Sequence, residues 1–207
     1  MCCAAGVDYV KYDYCGMDNV SLPTRHYYER MSAAMNATGR PMVFSICSWG
    51  LGEPHQWGAD VGHSWRTDTD LFAVWDEPTA RGVLRLPKMF GSVMAAVERQ
   101  AHLAPYARPG GFNDLDMLVV GLSGMSAYGT VDASDCPPHL PSFYCKPGQA
   151  VTREMWGEVG GLTLTEQRAH FSLWCMLSSP LMLGNDPRTV SRATLRILTA
   201  PGLIAIS

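Results

Sequence analysis

The chain has 207 residues, 47% of them hydrophobic and 17% charged, with a formal net charge of −3. Such a composition suits one globular domain with a single apolar core, and without a basic field or a Lys/Arg run nothing is present to hold a phosphate backbone, which excludes nucleic acid as the expected partner. No stretch reaches the roughly 18 to 20 uninterrupted apolar residues that cross a bilayer, and the opening MCCAAGVDYVKYD lacks the basic region and apolar run of a signal peptide, so neither a membrane partner nor an export signal is expected.

In chain order, GVDYVKYD from Gly6 to Asp13 reads as a short strand. Lys11 and Asp13 share one side of it, and Val10 and Tyr12 take the other. Ser21 is placed to cap a helix through LPTRHYYERMSAAMNATG, with Pro23 in its first turn and Gly39 ending it. PMVFSICSW is an apolar run bounded by Pro41 and Gly50, as expected of a buried parallel strand, and the three elements together make a βαβ pattern. A Gly- and Trp-rich loop follows. HSWRTDTDLF then predicts a short strand feeding a polar turn, and KMFGSVMAAVERQAHLA has the apolar spacing of an amphipathic helix. GGFNDLDML supplies another brief strand ending in carboxylates. The stretch 126–161, rich in Gly, Pro and Ser and without sustained period, reads as a loop insertion. Thr165, with Arg168 nearby, opens a helix through TEQRAHFSLWCMLSS. PLMLGND reads as one more strand, ending in Asn185 and Asp186, and TVSRATLRILTAPGLIAIS as a helix and a short apolar run. The expected strands thus centre on Val10, Val43, Trp65, Phe112 and Leu181, five where a closed (β/α)8 barrel has eight.

Seven cysteines are an odd number, so at least one is free or pairs elsewhere. Cys136 and Cys145 bracket CPPHLPSFYC and are placed to close a small disulfide loop. A zinc site on Cys136, His139 and Cys145 lacks the fourth ligand and the second cluster such sites use. Asn19-Val20-Ser21 and Asn36-Ala37-Thr38 are glycosylation sequons. They agree with a secreted, lysosomal or vacuolar parent protein.

Each expected strand ends in polar residues: Lys11 and Asp13; Cys47, Ser48 and Trp49; Arg66 to Asp70; Asp114 and Asp116; Asn185 and Asp186. Aspartates at strand ends commonly cap the next helix. Five such ends together, one with a lysine two residues from an aspartate, instead resemble the catalytic face of a parallel α/β barrel.

The segments VDYVKYDYC, FSICSWG, SWRTDTD, GGFNDLDML, TEQRAHFSLW and PLMLGND, in this order, resemble glycoside hydrolase family 27, the α-galactosidases and α-N-acetylgalactosaminidases. The resemblance implies an α/β fold that is a partial (β/α)8 barrel of about the last five strands, without the first strands or a C-terminal β-sandwich. It implies a retaining hydrolase of terminal α-galactosides in which Asp13 is the nucleophile and Asp70 the acid/base, with Asp68 a nearby decoy. One carboxylate attacks the anomeric carbon while the other protonates the leaving oxygen and later activates water, which requires about 5 to 5.5 Å between them. Lys11 and Arg66 are expected to hold the carboxylates ionised and to donate to the sugar. Cys47, Ser48, Trp49, Asp116 and Met117 match positions lining the galactose pocket, Trp49 as an aromatic wall. No cofactor is implied.

Ser48 stands where α-galactosidases commonly carry glutamate and the N-acetylgalactosaminidase branch carries serine. Leu51 does not supply that branch's second small residue. The tryptophan and aspartate pair of the family's first strands, and the cysteine that partners the one matching Cys15, have no counterpart in this sequence. The missing N-terminal barrel half is therefore an expected partner. A half-open parallel sheet is expected to be poorly soluble alone. An inactive fragment and a non-catalytic carbohydrate-binding protein are the readings of another class.

Overall fold

The computed structural model describes residues 6–15, 22–76, 90–122 and 161–207. The expected Cys136–Cys145 disulfide, the Asn19 sequon, Ser21 and nearly all of the 126–161 insertion lie outside them. The chain forms an α/β fold around a parallel sheet. In order come β1 (Tyr9–Asp13), α1 (Thr24–Asn36), β2 (Val43–Cys47), α2 (Pro54–Val61), β3 (Ser64–Arg66), β4 (Asp70–Leu71) and β5 (Phe90–Gly91). Then follow α3 (Val93–Gln100), a 3-10 turn (Ala104–Tyr106), β6 (Phe112–Asp114), α4 (Leu164–Met176), α5 (Arg192–Leu198) and α6 (Pro201–Ile204).

The main sheet has the order β1-β2-β3-β6, and a second parallel pair joins β4 to β5. Strand β1 alternates as the sequence requires: Val10 and Tyr12 pack inward while Lys11 and Asp13 face away. That inward side continues through Phe44, Ile46 and Trp65, which meet Tyr28 and Met35 of α1 and Trp57 and Val61 of α2 in one apolar cluster. A second cluster joins Leu71, Val93, Leu115, Leu118 and Val120 to Phe171 and Trp174 of α4 and Ile197 of α5. Among the described residues no helix is long and apolar enough to cross a membrane.

Several boundaries depart from expectation for local reasons. Helix α1 starts one residue after Pro23, which sits at the cap and offers no side-chain acceptor, and it ends as expected where Gly39 turns left-handed (φ +70°). The expected Gly- and Trp-rich loop contains α2. A glycine inside a helix argues against one from sequence, but Gly58 is needed there: a Cβ on it would stand 2.6 Å from Cε3 of Trp65. The helix expected from Lys88 starts at Val93, where Ser92 Oγ accepts from the Ala95 amide, and Phe90–Gly91 pairs with β4 instead. Helix α4 opens through a reciprocal capping box between Thr163 and Glu166, two residues before Thr165.

The strand expected around Leu181 does not form. Pro180 has no amide to offer a ladder, the Met182 amide turns back to the Pro180 carbonyl (3.0 Å), and a single parallel bridge, Leu118 with Leu183, remains. Asn36, the acceptor of the second sequon, is exposed at the end of α1.

Gly58→Ala should overpack the α2–β3 contact and destabilise the chain by about 1–3 kcal/mol. Thermal or urea unfolding checks it, and an unchanged midpoint would show that the helix can shift away from Trp65.

Candidate active site

The parallel register makes a row of four polar side chains across the carboxyl-end edge of the sheet. Asp13 lies beside Cys47, and Arg66 beside Asp114. The β2–β3 register, Ser45 with Ser64 and Ile46 with Trp65, carries Cys47 on to Arg66. Because side chains alternate along each strand, all four project from the face opposite α1 and α2.

Arg66 is the hub. Its side chain is 1% exposed, and its Nη1 pairs with Asp116 Oδ1 at 3.0 Å. Nη2 reaches Asp70 Oδ1 (3.2 Å) and the carbonyls of Asp68 (3.1 Å) and Thr69 (2.7 Å). The guanidinium thus grips the 68–70 turn from within. Burial opposes its charge, but Asp116, Cys47, Asp114 and Asp70 more than offset that and hold it protonated. Asp68, the neighbouring carboxylate, points elsewhere: Arg99 of α3 binds it at 2.5 Å, and the Thr69 amide donates to it. Burial raises its pKa, with Thr69, Arg99 and Arg66 opposing.

Asp116 is buried and left-handed at φ +86°, an unfavourable conformation for a residue with a side chain. Its backbone N–H donates to Asp114 Oδ1 (2.9 Å) and its carbonyl accepts from Trp174 Nε1 (2.9 Å). One carboxylate oxygen takes the Met117 amide (2.7 Å) with Arg66, and the other takes the Leu71 amide (2.9 Å). Three residues on, the Val119 amide donates to Nε2 of His170 (3.0 Å). Asp114 is pushed above the ordinary carboxylate range by burial and by Asp116, with Arg66 and Lys11 opposing.

At the other end of the row, Asp13 accepts from the Tyr14 amide (2.8 Å). Burial, partly countered by Arg66 and Lys11, pushes Cys47 up to about 12, so it stays a thiol. The Cys15 thiol is raised by burial, by the charge of Asp13 and its hydrogen bond to it, and by the charge of Asp70. The Lys11 ammonium is lowered by burial and by Arg66, but Cys47, Asp116 and Asp114 bring its net shift upward.

The turn after β2 is pressed against β3: the Gly50 amide donates to the Arg66 carbonyl (3.2 Å), and a Cβ on Gly50 would meet the Thr67 carbonyl at 2.6 Å. This close approach sets Trp49, half-buried and left-handed, edge-on to Tyr14 with ring centroids 6.3 Å apart. Ser48 is wholly buried, and Met117 is 42% exposed beside Asp116.

The structure therefore gathers Lys11, Asp13, Cys47, Arg66, Asp70 and Asp116 at one sheet edge, with Trp49 and Met117 around it. Sequence reasoning did not select Tyr14, Cys15, Arg99, Asp114 as an Asp116 partner, His170 or Trp174. Asp114 carried a signal as a strand-end aspartate; the others act through contacts that no local pattern reveals.

The family model described as Alpha galactosidase A matches residues 2–133. The chain belongs to this family, the α-galactosidases of glycoside hydrolase family 27. It is similar to alpha-galactosidase A of Cellvibrio japonicus, with 38% identity over 98% of this chain and 39% of that protein. Alpha-galactosidase 3 of Arabidopsis thaliana is 32% identical over 98% of this chain and 34% of its own length. Among solved α-galactosidases, the Saccharomyces cerevisiae enzyme with raffinose superposes with a TM-score of 0.72 at 30% identity, covering 99% of this chain and 39% of that one. The chain thus spans little more than a third of the length of these relatives.

His170 is fully buried and burial lowers its pKa to about 3. It stays neutral in the native chain while the unfolded chain protonates near pH 6.5. Its contribution is therefore fully present above pH 6.5 and lost as pH falls toward 3. Urea unfolding at pH 7 and pH 5 should show His170→Gln sparing about 2 kcal/mol of acid destabilisation relative to the parent chain; equal losses would contradict the buried neutral imidazole.

Proposed function

We propose that this chain supplies both catalytic carboxylates of a retaining glycoside hydrolase that removes terminal α-linked galactose by double displacement. The observation that carries this reading is the parallel register that sets Asp13 at the end of β1 in one row with Cys47 and Arg66, with Asp70 held by Arg66 at 3.2 Å. Asp13 attacks the anomeric carbon as Asp70 gives its proton to the leaving oxygen. Asp70 then takes a proton from water as that water displaces Asp13 from the sugar. Lys11 and Arg66 supply positive charge beside these steps, Trp49 an apolar wall, and Cys47, Asp116 and Met117 the floor and rim of the galactose site.

The substrate class rests on the α-galactosidase relatives, among them the yeast enzyme whose structure contains raffinose. Ser48 is the residue that would favour N-acetylgalactosamine instead. The relatives that the chain matches are α-galactosidases, so galactose is the better reading.

The four parallel strands, with helices on one face and polar side chains on the other, support a segment of a (β/α)8 barrel within one catalytic domain. Among the described residues no strand pairs with the outer edge of β1, and the remaining strands of the barrel are the partner that edge would take. A secreted, lysosomal or vacuolar parent agrees with the exposed Asn36 sequon.

A chromogenic α-galactoside, offered to the chain alone and with the remaining barrel strands supplied as a second polypeptide, tests this reading. Asp13→Asn should lower turnover on the order of 10⁴-fold or more. Hydrolysis surviving in that variant would remove Asp13 from the nucleophile's role.

A further inference from the structure

Helix α4 lies outside the row of strand-end residues, yet two of its side chains reach the turn that carries Asp116. His170 and Trp174 are one helical turn apart, both fully buried, with ring centroids 4.1 Å apart and planes at 89°. The Trp174 indole N–H donates to the Asp116 carbonyl at 2.9 Å, and His170 Nε2 accepts from the Val119 amide at 3.0 Å. An accepting Nε2 in a neutral ring fixes the tautomer with the proton on Nδ1. The turn is thereby held at both ends by directional bonds from one rigid helix face.

What the turn holds gives these bonds their consequence. The Asp116 carboxylate takes Arg66 Nη1 with one oxygen and the Leu71 amide with the other. Arg66 in turn binds Asp70 Oδ1 and the carbonyl of Thr69. Asp70 is therefore fixed on its side-chain side through Arg66 and on its following peptide through Leu71, and both restraints end on Asp116.

We propose that His170 and Trp174 are positioning residues for the acid/base carboxylate, acting through the 116–119 turn and Asp116 on Arg66 and on the backbone after Asp70. Both rings are fully buried; they set where Asp70 stands. The assignment rests on Asp70 being the acid/base. It differs from core packing alone in requiring the indole N–H and the imidazole acceptor, not only their volume. A misplacement of about 1 Å in a catalytic group can cost on the order of 10²-fold in rate, so the restraint has functional weight.

Two measurements test it. In this chain, amide hydrogen exchange by NMR reads the linkage without any need for turnover. Trp174→Phe keeps a ring and removes the donor; His170→Leu removes the acceptor, and His170→Gln restores one. Trp174→Phe and His170→Leu should speed exchange of the Leu71 amide about tenfold or more while the amides of β2, in the other core cluster, keep their rates. His170→Gln should stay near the parent value. An unchanged Leu71 amide, or equal acceleration throughout β2, overturns the proposal.

In the hydrolysing assembly, the same variants are compared on a dinitrophenyl α-galactoside, whose leaving group needs little protonation, and on an alkyl α-galactoside, which needs an acid. A displaced acid should cost about tenfold or more in kcat/KM on the alkyl substrate and much less on the aryl one, with galactose inhibition retained. Equal loss on both substrates, in a background where Asp70→Asn separates them, overturns the positioning role. If Asp70→Asn fails to separate them, the acid/base assignment falls, and the exchange measurement still decides the linkage.

Discussion

A guanidinium that is 1% exposed must find its partners within the protein. Arg66 finds them on three stretches of chain: Asp70 with the carbonyls of Asp68 and Thr69, Asp116 after β6, and the Cys47 sulfur at 3.9 Å on β2. Removing it would leave the buried Asp116 carboxylate without its cation, a loss of the kind that costs about 3–5 kcal/mol. The arrangement also explains the left-handed backbone at Asp116. The strained conformation is held because its N–H, its carbonyl and both carboxylate oxygens are all bonded.

The parallel sheet makes this convergence possible. Register places the last residue of β1 beside that of β2, and the last of β3 beside that of β6, while alternation sends Val10, Tyr12, Phe44, Ile46 and Trp65 of these strands to α1 and α2. Fold and site are two faces of one pattern. A one-residue slip of β1 would exchange Asp13 for Tyr12 and break both at once.

The strand-end carboxylates, the alternation in β1 and the buried character of β2 were readable from sequence, because each depends on residues two apart or on a continuous apolar run. What remained hidden depends on contacts between distant segments. Gly58 suggests a loop until Trp65 is seen against it. PLMLGND has the composition of a strand, but Pro180 and the inward turn at Met182 leave one bridge. Asp68 and Asp70 are indistinguishable by type and spacing; Arg99, thirty-one positions after Asp68 in the chain, separates them by engaging the first. His170 and Trp174 lie in a stretch that reads only as a helix. Their polar atoms acquire a role only where the 116–119 turn meets them.

The most direct measurement of the central assignment is trapping of the covalent intermediate. A fluorinated α-galactosyl fluoride slows both steps of a double displacement, the second enough for the glycosyl-enzyme to accumulate, and mass spectrometry of the digested protein then locates the sugar. The geometry predicts one galactosyl adduct, on the peptide that contains Asp13. An adduct on Asp70 or Asp68, or hydrolysis with no adduct on any carboxylate, would contradict it.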